Sequence, residues 1–206
     1  NDKHTALHRA AAVSHNAAVL WLLIERGADV NAVDGDDLQP IDVAKGLDNF
    51  CCLVDAGADP ERALVCAASR LFSAVVHELV DRGVDVDARR RGTGFTALMC
   101  AVNRISPMAV QRLVAFGADV NACSYDRKTN ALSIAVERDA DMVCTLLLIA
   151  GADVNRACVD GLPPLRAALR DGCDKCMVLL LAAGADISAV DECGRLTIWN
   201  DNHVAP

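Results

Sequence analysis

The chain has 206 residues, 53% of them apolar but only 3% aromatic, and a formal net charge of −8. An acidic chain of pI about 5.0 lacks the broad basic face that a nucleic-acid duplex or an anionic membrane surface selects. No apolar run reaches the 18 residues of a membrane-crossing helix, so Ala, Leu and Val are left to build a closely packed helical interior.

In chain order the sequence writes one phrase repeatedly. TALHRAA (Thr5) is followed by LWLLIER and then GADVNA (Gly27). QPIDVAK (Gln39) is followed by FCCLVDA and GADPER (Gly57). RALVCAA (Arg62) leads to VHELVDR and GVDVDA (Gly83), and TALMCAV (Thr96) to VQRLVAF and GADVNA (Gly117). NALSIAV (Asn130) leads to TLLLIA and GADVNR (Gly151), and PPLRAAL (Pro163) to MVLLLAA and GADISA (Gly184). A fragment, LTIW, stands near the end. From Arg62, Thr96, Asn130 and Pro163 the next phrase glycine is 21 residues on; from Thr5 it is one further, from Gln39 three nearer. Such phasing predicts paired helices. Thr5 and Thr96 suit N-caps, Pro40 and Pro164 the first helical turn, and the phrase glycines a left-handed helix end.

These residues resemble the ankyrin-repeat family, whose motif is roughly T-P-L-H-x-A-A then V-x-x-L-L-x-x-G-A-D-x-N. The resemblance covers nearly the whole chain. It implies an all-α solenoid of stacked helix-turn-helix units with β-hairpin-like fingers, in one domain over 1–206. The repeats fall at about 1–32, 33–59, 60–88, 89–122, 123–156 and 157–189, with a partial seventh at 190–206. It also implies a concave partner-binding face made of finger tips and first helices. Between Gly57 and Arg62 lie only five steps, against 12 or 13 at the other junctions. The finger between repeats two and three is therefore expected to be lost, with Pro60 in a tight turn and a notch in the binding face.

Charge is unevenly spread: residues 1–88 carry −8, residues 89–138 carry +5 and residues 139–206 carry −5. Screening confines each segment's field to about 8 Å, so a basic centre can act within an acidic chain. On or near fingers it holds Arg89, Arg90, Arg91, Phe95, Tyr125, Arg127 and Lys128. On or near first helices lie Met99, Asn103, Arg104, Ser133 and Arg138, while Leu162, Arg166 and Arg170 extend the same face. Arginine beside aromatics is the mixture enriched at interface centres. The expected partner is another protein or peptide, acidic or phosphorylated, docked across repeats four to six on a monomeric chain. The acidic Asp34, Asp36 and Asp37 read as a solvated tip.

Two readings compete with this one. An ankyrin-containing ribonuclease of similar architecture holds an oligonucleotide activator, and Arg89–Arg91 with Phe95 and Tyr125 could clamp phosphates and stack a base. Alternatively the array is a spacer in a longer protein, which the start at Asn1 rather than Met and the short seventh unit would suit. Trp199 would then either fold back over repeat six or pair with residues beyond this chain.

Catalytic constellations are not written in the sequence: there is no Walker loop, no G-x-G-x-x-G after a strand and no H-E-x-x-H, and neither enzyme activity nor a cofactor is expected. Cys173 and Cys176 form CDKC, but Cys176 takes the apolar position before MVLLL, so core packing is expected there. His8 is the motif histidine, with a structural hydrogen bond expected. Scattered, core-like thiols point to a reducing compartment, cytoplasmic or nuclear. Asn31, Asn121 and Asn155, each with a leucine eight residues earlier, resemble ankyrin sites of an oxygen-dependent asparaginyl hydroxylase.

Overall fold

The computed structural model describes residues 4–126, 128–157 and 162–187. Helices come in consecutive pairs: α1 (Ala6–Ala11) with α2 (Ala17–Glu25), α3 (Pro40–Val43) with α4 (Leu47–Asp55), and α5 (Pro60–Arg70) with α6 (Ser73–Asp81). The series continues with α7 (Ala97–Asn103) and α8 (Pro107–Ala115), α9 (Ala131–Glu137) and α10 (Asp141–Ile149), and α11 (Pro164–Asp171) and α12 (Asp174–Ala182). Each interval read from the sequence as a full repeat holds one pair. Among the described residues the β structure amounts to two isolated bridges, Arg89 to Thr96 and Cys123 to Asn130. The fold is all-α. The partial seventh repeat, with LTIW and Trp199, lies outside the described residues.

Contacts group the chain into two compact units, Asn1–Ala118 and Asp119–Pro206, where the sequence reading drew a single domain. In the first, α1, α3, α5 and α7 pack successively against one another, with α2 against α4 behind them. In the second, α9 packs on α11 and α10 on α12. Small residues permit this spacing: Ala11, Ala63, Ala67, Ala97 and Ala101 are fully buried beside Leu7, Ile41, Leu64 and Leu98. A single pair has two apolar faces, and only a stack covers both.

Local chemistry fixes the helix ends. Thr5, Thr96, Asn130 and Ser106 each accept a hydrogen bond from the amide three residues on, and Pro40, Pro60, Pro107 and Pro164 open helices where a missing N–H costs nothing. After α2 the chain turns at Gly27, whose φ of +86° is open to glycine and strained for other residues. There the Gly27 amide donates to Ile24 O at 2.9 Å and the Ala28 amide to Leu23 O at 3.0 Å.

Within each unit, polar side chains stitch successive repeats. Asn31 Nδ2 donates to Gly57 O at 3.0 Å, and Asn31 Oδ1 accepts from the Asp59 amide at 2.8 Å. Asn121 repeats the pattern with Gly151 O at 3.1 Å and the Asp153 amide at 2.8 Å. Asn155 Oδ1 accepts from the Asp186 amide at 2.8 Å. Each preceding aspartate bonds the asparagine's own amide at 2.9–3.0 Å, which explains the Asp-x-Asn spacing. Buried His8 meets the structural expectation. Its Nδ1 accepts from the Thr5 amide at 3.3 Å, so Nε2 carries the proton and donates to Leu38 O at 2.9 Å.

Candidate functional site

The shortened junction shapes the first unit's exposed face. After α4 the chain passes Gly57 and enters α5 at once, with Asp59 Oδ1 accepting from the Glu61 and Arg62 amides at 3.1 and 3.3 Å. No finger is formed there, as the residue count predicts. The finger before it (residues 32–39) and the one after it (residues 88–96) consequently flank an open notch of about 280 Å³. Leu38, Asp36 and Asp37 line one wall, Arg89–Gly92 the other, and Val65 and Cys66 of α5 lie between.

An ion pair anchors this floor. Asp42 Oδ2 accepts from Arg62 Nη1 at 2.6 Å and from the Gln39 amide at 2.8 Å, while its Oδ1 accepts from the Cys66 thiol at 3.3 Å. Arg62 also donates to Asp37 O at 3.0 Å. The Arg62 and Asp42 side chains keep only 10% and 13% of their exposure, so this pair is spent on structure. Helix α3 is a single turn, and its Ile41 and Asp42 carbonyls, which a longer helix would bond internally, receive Arg70 Nη1 and Nη2 at 3.0 and 2.5 Å. Burial and the Asp42 carboxylate push the Cys66 thiol up to about 12, so it stays protonated and unreactive at neutral pH.

The third finger is a small hairpin. The Arg90 amide donates to Phe95 O and the Gly94 amide to Arg90 O, both at 2.8 Å. The triple arginine is thus spread from base to tip. Arg89 sits in the bridge to Thr96 and sends Nη1 to Gly94 O at 3.1 Å. All three arginines are exposed, and Arg91 Nη1 reaches across the notch to Asp37 Oδ1 at 3.9 Å, with the two side chains 62% and 60% exposed.

The first finger departs from expectation. Asp34 is buried instead of solvated: its Oδ1 accepts from the Asp36 and Leu38 amides at 2.8 and 2.9 Å and thereby shapes the loop. Those amide bonds, Leu38 first, hold its carboxyl below the usual range. Asp36 and Asp37 alone keep the exposed, solvated position.

Met99 also requires correction, being fully buried. It occupies the fourth motif position, the slot filled inwardly by His8 in the first repeat and Ser133 in the fifth, so no partner can reach it. Arg104 is exposed beyond α7 while Asn103 and Phe95 are half-buried.

In the second unit the finger is held by Ser124, whose hydroxyl donates to Asp126 Oδ1, while that oxygen also accepts from the Lys128 amide at 3.0 Å. These bonds, the Ser124 hydroxyl first, keep the Asp126 carboxyl low. Tyr125 stands exposed at the tip beside Lys128, and Arg127 lies outside the described residues. Arg138 is exposed at the end of α9 and Arg166 and Leu162 are half-buried. Arg170 spends its guanidinium on Asp171 through Nε and Nη2, at 2.8 and 3.0 Å. Cys176 and Cys144 are fully buried, 3.5 Å apart, and Cys173 is buried against Val136 O. The CDKC thiols are core residues.

Sequence reasoning missed Asp42, Arg62 and Arg70. The signal was present in QPIDVAK, which puts an aspartate where TALHRAA has its histidine, next to the one junction too short for a finger.

Stacked helix pairs joined by fingers define a helical repeat protein, and the comparisons say which kind. A family model of ankyrin repeats in three copies matches residues 106–191, and another of ankyrin repeats in many copies matches residues 1–44. A crystal structure of an ankyrin repeat domain from Acinetobacter baumannii AYE is similar over 87% of this chain and 98% of its own, at 28% identity and a TM-score of 0.68. No curated protein matches the sequence. The chain belongs to the ankyrin-repeat family, whose members generally serve as protein–protein interaction modules.

Proposed function

We propose that this chain is a non-catalytic interaction module that binds an acidic or phosphorylated segment of another protein through its basic third finger. The observation that carries the reading is the pair of exposed guanidiniums, Arg90 and Arg91, at the edge of a notch that a missing finger leaves open. Guanidiniums pair with carboxylates and phosphates in bidentate geometry. Arg104 lies exposed on the same unit. In the second unit Tyr125, Lys128 and Arg138 are the exposed members of the basic segment.

A protein segment suits the notch better than an oligonucleotide does. At about 280 Å³ it lies at the lower edge of small-ligand pockets, roughly 300–1,000 Å³, with room for a side chain or two. Its five carboxylates and four guanidiniums also give no excess positive charge for the run of phosphates of an oligonucleotide, whereas a single acidic or phosphorylated side chain needs only the two guanidiniums of Arg90 and Arg91. The test is Arg90→Glu with Arg91→Glu, which leaves Arg89 to hold the finger. Acidic peptides should lose about tenfold or more in affinity with the far-UV circular dichroism unchanged. Undiminished binding by the folded variant would refute the reading.

A further inference from the structure

The notch has two lips of opposite sign, which an acidic ligand alone does not satisfy. Of its charged groups, Asp42 and Arg62 are paired with each other, and Arg62 Nη2 also lies 3.7 Å from Asp37 Oδ2. Asp59 caps α5, Arg89 is tied to Gly94 O, and Glu61 stands exposed in the first turn of α5. What faces an incoming chain is an acidic set, Asp36 and Asp37 on one finger together with Glu61 of α5, against Arg90 and Arg91 on the other finger. Arg91 and Asp37 already touch across the mouth at 3.9 Å. An ion pair so exposed contributes little and is readily exchanged. The first finger therefore competes for Arg91, one of the two arginines that the reading above gives to the partner.

Building on that reading, we infer that the notch is a two-ended cleft that selects an extended segment of a partner protein carrying an acidic and a basic side chain two positions apart. The acid takes Arg91 from Asp37 and pairs with Arg90 as well. The base takes Asp36 and the Asp37 oxygen that Arg91 leaves, while Asp37 Oδ2 stays 3.7 Å from Arg62 Nη2. Every displaced charge gains a new partner. A segment with acids at both positions instead sets a carboxylate against Asp36 and Asp37, and that like-charge contact is the source of specificity. The spacing follows from strand geometry, because residues i and i+2 of an extended chain point the same way.

A random-peptide display library selected on the intact chain tests this, followed by titration of synthetic peptides with Glu-x-Lys, Glu-x-Gln and Glu-x-Glu at the selected positions. The wild type should enrich opposite charges at i and i+2. It should bind Glu-x-Lys about fivefold tighter than Glu-x-Gln and leave Glu-x-Glu weakest. Asp36→Asn with Asp37→Asn should erase the difference between Glu-x-Lys and Glu-x-Gln and strengthen Glu-x-Glu. Arg90→Glu with Arg91→Glu should weaken every selected peptide, with circular dichroism confirming the fold of both variants. Enrichment of purely acidic peptides, with Glu-x-Glu equal to or tighter than Glu-x-Lys, overturns the two-ended cleft and leaves the basic-finger reading standing. Peptides indifferent to both double variants, or no selected binder at all, overturn both.

Discussion

Replacing Asn49 examines the stack at its least regular unit. The side chain is fully buried, with Nδ2 donating to Val13 O at 2.7 Å and Ala11 O at 3.2 Å and Oδ1 accepting from the Asn16 amide at 3.0 Å. Asn49→Ala removes all three bonds, but Ala11 O keeps the Lys45 amide at 2.8 Å. Two backbone groups are then left short of partners, so the loss is about 2–3 kcal/mol, roughly 5–10 °C in Tm for a chain of this size. Asn49→Asp should be worse, because a carboxylate oxygen then faces two carbonyls in place of a donor. Its deficit should narrow as pH falls and the acid regains one O–H. Urea titration followed by far-UV circular dichroism ranks the three proteins. An aspartate variant as stable as the alanine variant at neutral pH would show that Asn49 fills volume and does not bridge.

Other outcomes follow from the same contacts. Asp42→Ala strips the acceptor from Arg62, Cys66 and the Gln39 amide and should cost about 3 kcal/mol; adding Arg62→Ala should cost clearly less than the sum of the single losses in a double-mutant cycle. Asn121→Ala should speed hydrogen exchange at the Asp153 amide, which loses its acceptor, while exchange at the Asp59 amide on Asn31 stays as it was. Asp34 is held below the ordinary carboxylate range, so its contribution is present above about pH 4 and is lost as pH falls through its lowered pKa. Asp34→Asn should flatten part of the acid limb of a Tm-versus-pH curve. Cys66, with its thiol raised to about 12, should resist iodoacetamide at pH 7.5 in the folded protein and react once urea unfolds it.

The helix pairs were legible because the same letters recur at the same phase, and caps, prolines and glycines act locally. The lost finger was legible for an equally plain reason: five steps of chain cannot make a hairpin and a helix start. What the site does with its charges was less visible. Arg89, Arg90 and Arg91 look alike as letters, and all three are exposed, yet the hairpin brings the first guanidinium onto Gly94 O and lets the third reach across the notch to Asp37. Met99 follows a good N-cap on a finger-proximal helix, but its motif slot points inward. The Asp42–Arg62 pair joins residues 20 positions apart, and its partners come together only when α3 packs on α5. Asp34 was read with its acidic neighbours because no letter distinguishes a carboxylate that organises a turn from two that face water.

The central claim is that the absent second finger makes the binding notch. Restoring it tests this directly: Pro60–Glu61 is replaced by the ten residues Val120–Thr129, with Arg127 and Lys128 changed to serine to add no basic charge. The junction then matches the 13-step spacing from Gly117 to Asn130, and the Asp59 amide can still reach Asn31 as Asp153 reaches Asn121. Calorimetric titration with the peptides selected on the wild type should show no binding by this refilled chain at unchanged helical content. Binding at the wild-type affinity would contradict the account.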